Sequence, residues 1–134
     1  MSLFSVFNIA SSGMTAQSQR LNTVASNIAN AESAAGPDGK AYRAKQVVFS
    51  AQSVDAAGSA GVKVTAVIDD TQEPRRVYDP RHPMADGEGY VSMPNVNPVE
   101  EMVNMISASR AYQNNVDTLN AAKSLLQKTL SIGQ

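Results

Sequence analysis

Read in steps of three and four from Phe7, apolar or small side chains recur at Phe7, Ala10, Met14, Leu21, Val24, Ile28 and Ala31, with one polar break at Gln17. This a/d heptad spacing predicts a long N-terminal helix. It stops at Gly36-Pro37-Asp38-Gly39, turn formers that cannot continue a helix. Gly13 weakens an isolated helix by roughly 1 kcal/mol relative to Ala, a cost more easily borne where a neighbour packs closely. A second seam runs through Met102, Met105, Ser109, Tyr112, Val116, Leu119, Lys123, Leu126 and Leu130. Its start is well marked. Asn97 can cap, Pro98 suits the first helical position, and Glu100 stands where a capping box places its acid. Residues 98–131 as one helix would be about 50 Å long.

Between the seams the period falls to two. Tyr42–Phe49 is rich in strand formers, and Val62, Val64, Ala66 and Ile68 alternate against Lys63, Thr65 and Val67. Shorter strands are expected at Arg75–Tyr78 and Tyr90–Met93. The Ala, Gly and Ser-rich stretch Ala51–Gly61 predicts a flexible loop. The expected fold class is mainly α with a small β insertion, the N- and C-terminal helices pairing as an antiparallel coiled coil. The expected organisation is one structural unit: a helix in 1–35, a β-rich insertion in 36–96 and a helix in 97–134.

Charge changes this picture. Arg20 is the one ionisable side chain from Met1 to Ala31, and Met102–Gln134 carries only Arg110, Asp117, Lys123 and Lys128. Helices wetted by solvent usually carry Glu and Lys on the outer face. Ser, Thr, Asn and Gln in their place suit helices packed on several sides, which points to a polymer. Two core helices of a compact bundle remain the alternative. In Val24-Ala25-Ser26-Asn27-Ile28-Ala29-Asn30-Ala31, Asn27 and Asn30 stand three apart beside the seam. Asn lowers helix propensity, so these amides are expected to bond across to adjacent chains, the alternative being a capped, fraying helix end. Without neighbours, both ends are expected to be disordered, becoming helical on assembly.

Candidate chemistry adds little. A formal net charge of -1 argues against nucleic acid. No apolar run reaches a membrane span, and residues 1–31 lack a basic n-region and a continuous h-region, so no secretory signal is expected. Without Cys, thiol catalysis and thiolate metal sites are excluded. His82 is the sole histidine, between Arg81 and Pro83. Asp69, Asp70, Asp79, Asp86 and Glu88 match no calcium loop, and Gly36–Gly39 lacks the Lys-Ser/Thr of a phosphate cradle. No catalytic residue, metal or cofactor is expected.

The segment Leu21–Ala31, followed by Gly36–Phe49, resembles the bacterial flagellar rod and hook proteins. So does Asn97-Pro98-Val99-Glu100-Glu101-Met102-Val103-Asn104-Met105-Ile106, running into Ser109-Arg110-Ala111-Tyr112-Gln113. The likeness covers essentially the whole chain. Most relatives follow the Asn-rich motif with a Thr and a Gly-Tyr pair, whereas here Tyr42 is delayed by Gly36–Lys40, as in the short proximal-rod members. The resemblance implies a structural subunit of the basal-body proximal rod, polymerising through its terminal helices into part of the drive shaft and export channel wall. Implied partners are other copies of itself, other flagellar rod proteins, basal-body ring proteins and the type III export apparatus, with neither nucleic acid nor a membrane span. The implied location is the periplasmic rod, reached without a cleaved signal peptide. The assembly interface is expected at Met14, Leu21, Val24, Asn27, Ile28 and Asn30, and at Met102, Met105, Tyr112, Val116, Leu119, Leu126 and Leu130. From another class, a soluble helical-hairpin adaptor would bind one partner through the same seam.

Overall fold

The computed structural model describes residues 3–55 and 58–133. Helix α1 is Leu3–Ala29 and α2 is Pro98–Ile132. Between them lie two antiparallel hairpins, β1 (Lys45–Ser53) with β2 (Ala60–Asp69), and β3 (Arg75–Tyr78) with β4 (Tyr90–Met93). The helices run antiparallel: Asn27 meets Glu101, Arg20 meets Asn104, and Gly13 faces Asn115. The expected class is the one found. Helix α1 packs on two sides, against α2 and against the β1–β2 hairpin, while α2 packs on α1 alone.

Local chemistry sets the helix ends. Asn30 N–H reaches both Ser26 and Asn27 carbonyls and Ala31 N–H reaches Ile28, so α1 tightens in its last turn and stops. At α2, Asn97 is extended, and its side chain accepts from the Val99 and Glu100 N–H groups at 3.1 and 3.5 Å. The expected capping box is only half made. The Glu100 carboxylate does not return the bond and stays exposed.

Helix contact rests on small residues. Gly13 is buried, and a Cβ there would lie 2.9 Å from the Asn115 amide, so glycine permits the close approach. Seven of the nine buried apolar residues described are alanines, joined by Val24 and Val91. The largest fully buried side chains are Asn27 and Pro94. The core is thin, with an amide at its centre.

Two expectations about the hairpin need correction. Strand ladders run into Ala51–Gly61, pairing Ala51 with Val62 and Ser53 with Ala60, which leaves only residues 54–59 as a loop. Residues 56 and 57 of that loop lie outside the described set. The expected single face Val62–Val64–Ala66–Ile68 does not form either. Val48 pairs with Ala66 but Phe49 with Val64, so Thr65 is an extra residue in β2. This bulge exchanges the faces. Val62, Val64 and Val67 share the side of Val47 and Phe49, whereas Ala66 and Ile68 share the opposite side with Val48.

Candidate assembly interface

Asn27 is 1 % exposed and uses its whole hydrogen-bonding capacity inside the chain. Its Oδ1 accepts from Lys45 N–H at 2.9 Å and from the Tyr42 hydroxyl at 3.0 Å. Its Nδ2 donates to the Lys45 carbonyl and to Glu101 Oε2, both at 2.9 Å. The amide thus completes the free edge of β1 while fastening α1 to α2. Glu101 Oε1 accepts from Asn104 at 3.2 Å, and Asn104 Oδ1 accepts from Arg20 at 3.3 Å. Nearby, Asn95 accepts from Ala44 N–H and donates to the Gln72 carbonyl. Burial, ahead of nearby charges, raises the Tyr42 phenol pKa above its ordinary value, so Tyr42 is a neutral donor near pH 7.

A second anchor stands toward the other end of α1. Ser12 Oγ donates to the Ile9 carbonyl and accepts from Val62 N–H at 3.1 Å. Gly61 lies against it, where a Cβ would meet that oxygen at 2.6 Å. Helix α1 therefore crosses the hairpin diagonally, from the β1 edge at Lys45 to the β2 edge at Val62.

The expected interface residues separate into distinct groups. Val24 and Asn27 are buried within the chain, Met14, Leu21 and Ile28 are half-buried along α1, and Asn30 is half-buried in the turn just past its end. Asn27 makes its four hydrogen bonds within the chain, and the Asn30 side chain donates to the Ser26 carbonyl one turn back. On α2 the buried stripe is Ala108 and Ala122, flanked by half-buried Glu101, Asn104, Ala111 and Asn115. That stripe lies one residue out of phase with the seam read from sequence. A heptad seam drifts about 20° per seven residues on a straight helix. Met102 therefore begins outside, 54 % exposed, while Met105, Tyr112, Val116, Leu119 and Leu126 are half-buried. Leu130 is 64 % exposed.

Sequence reasoning missed an outward ridge. At about 100° per residue, Val99, Met102, Val103 and Ile106 centre opposite the stripe that meets α1. All are exposed, Val99 by 68 %. Their i, i+3, i+4, i+7 spacing was legible but overlaps the assigned seam at Met102. Tyr42, Glu101 and Asn104, which complete the network around Asn27, are distant in sequence and carry no local signal of meeting there.

Comparisons with known proteins agree with these features. Residues 7–37 match the family model described as flagella basal body rod protein. Residues 88–132 match the C-terminal model of the flagellar basal body rod FlgEFG proteins. The chain is similar to flagellar basal-body rod protein FlgC of Escherichia coli O6:H1, 56 % identical over 134 residues and covering 100 % of both chains. The FlgC protein of Salmonella typhimurium is 53 % identical with the same full coverage. That of Borreliella burgdorferi is 40 % identical across 100 % of this chain and 99 % of its own. The paired terminal helices, the two matched segments and the end-to-end likeness together place the chain in the FlgC family of flagellar basal-body rod proteins.

Proposed function

We infer that the chain is a structural subunit of the proximal part of the flagellar rod, working by assembly and not by catalysis. The observation that carries this reading is α2: a charge-poor helix with one partner in its own chain and apolar side chains on the faces that partner leaves open. Val99, Met102, Val103 and Ile106 face away from α1, and Leu125, Leu130 and Ile132 extend the exposed apolar surface toward the end of α2. Solvent is a poor environment for such a surface, while neighbouring subunits are a good one.

In this role the paired helices of successive subunits line the tube and form the export channel wall. The β hairpins face other copies, other rod proteins and the surrounding rings. Delivery through the type III export apparatus to the periplasmic rod completes the reading. An adaptor that binds through its heptad seam is disfavoured, because α1 and α2 already occupy much of that surface in each other.

The test is replacement. A flagellated host lacking its own FlgC relative receives this chain, and basal bodies are purified. Recovery of the chain in the rod fraction, with restored swimming, is the expected result. Its absence from basal bodies, when it is expressed and exported, would overturn the reading.

A further inference from the structure

Among the described residues, two apolar surfaces stand uncovered on different elements of the molecule. One is the α2 ridge of Val99, Met102, Val103 and Ile106. The other is the outer face of the β1–β2 hairpin, where Val48 at 39 % and Ile68 at 48 % exposure flank Ala66. That second surface exists because of the bulge at Thr65. Both lie level with Asn27, the ridge beginning beside Glu101 and the patch beside Lys45. The hairpin already takes one helix, α1, on its inner face.

Charge distinguishes the occupant. Glu100 borders the ridge and has no ion-pair partner among the described residues; its expected bond to the cap is not made. Lys63 lies on the outer hairpin face, paired in register with Ser50, and likewise has no ion-pair partner among the described residues. Glu100 stands about 9 Å along the helix from Ile106. Lys63 stands about 16 Å along the strand from Ile68, a difference that long side chains and an oblique crossing absorb.

We propose that a second copy of this chain lays its α2 ridge on the outer face of the β1–β2 hairpin, with Glu100 of one copy meeting Lys63 of the other. The contact rests on the rod-subunit reading and adds which surfaces meet. It is head-to-tail: each copy offers its ridge to one neighbour and its hairpin to another. Such a contact propagates instead of closing into an isologous dimer.

The chain has no cysteine, so placed cysteines report directly. In purified basal bodies, the Ile68→Cys, Val103→Cys double variant should form on oxidation a ladder of multiples of 14.2 kDa. Each single variant should form no ladder. A double variant that enters the rod yet gives no ladder, or cross-links to a protein of another mass, overturns the contact. A second arm covers failure to incorporate. Glu100→Lys and Lys63→Glu should each lower incorporation at least about fivefold, and the combination should restore most of it. No loss from either change, or no recovery in the pair, overturns the proposal. Absence of the unmodified chain from basal bodies would instead defeat the rod reading, so the two failures are distinguishable.

Discussion

Asn27 is the residue on which three elements depend. Asn27→Leu keeps the volume roughly constant but strands the Lys45 N–H and carbonyl, the Tyr42 hydroxyl and the Glu101 carboxylate. Leaving a buried polar group unsatisfied costs about 1–3 kcal/mol, so a loss of about 3 kcal/mol or more is expected in denaturant unfolding followed by circular dichroism. Gln17 predicts the opposite sign. Its Oε1 is the one buried side-chain polar atom without a partner among the described residues. Gln17→Met removes that acceptor and should be neutral or raise the melting temperature; a clear drop would show that the amide is needed. Asp86 offers a pH test. Tyr90 N–H first, then Arg76 and Glu88 N–H, hold its carboxyl pKa below the ordinary value. A depressed folded pKa gives stability that is present above the unfolded value, near 3.9, and lost as pH falls through the folded one. The 5.2 Å edge-on contact between Tyr78 and Tyr90 should therefore loosen on acidification below about pH 4, seen as their ring resonances converge. In Asp86→Asn that transition should disappear.

At the scale of elements, the bulge is the clearest handle. Inserting one serine between Val48 and Phe49 should give Thr65 a partner and restore strict alternation, bringing Ala66 and Ile68 to the α1 side and turning Val67 outward. The expected readout is loss of rod incorporation with the hairpin still formed, judged by strand signals in isotope-edited spectra. Retained incorporation would show that the two-sided hairpin is dispensable. The bulge also marks the limit of the sequence reading. Both helices, all four strands and the Asn97 cap were legible, because periodicity and capping are local. Thr65 looks like an ordinary strand residue, and only pairing with β1 reveals it as surplus. The α2 seam was legible in spacing but not in phase. Its partner surface prefers Ala108 and Ala122, which allow close approach, over the larger Met102 and Leu130. Hydrophobicity alone ranks those residues in the reverse order. Asn27 was legible as an amide beside the seam, but its bonds to Tyr42, Lys45 and Glu101 were not, since one sequence does not show that Glu101 folds back beside it.

For the whole molecule, the thin core sets the stability. Alanine burial supplies little apolar area per residue, so the isolated chain should sit near the lower end of the usual stability range. Hydrogen exchange on the dilute chain should show weak protection at Val116–Leu126, with strong protection appearing only in assembled rods. Strong protection in the monomer would overturn this. Leu21 is half-buried, so a carboxylate there must be desolvated without a partner. Leu21→Asp should accordingly be exported normally but scarce in purified basal bodies.

The bonds made by Asn27 also order events in time. They close over 15 and 18 residues to Tyr42 and Lys45, but over 74 to Glu101. Closing the longer loop costs about 1 kcal/mol more in chain entropy than closing the shorter ones. Pairing of the two termini is therefore the late, slow step, as expected where distant segments must find each other. A chain emerging N-terminus first could complete its hairpin early, yet α1 would wait for the last third of the polypeptide before its buried amide was satisfied. The same long-range closure that leaves the free subunit fragile would delay its locking until the whole chain is out and a neighbour is at hand.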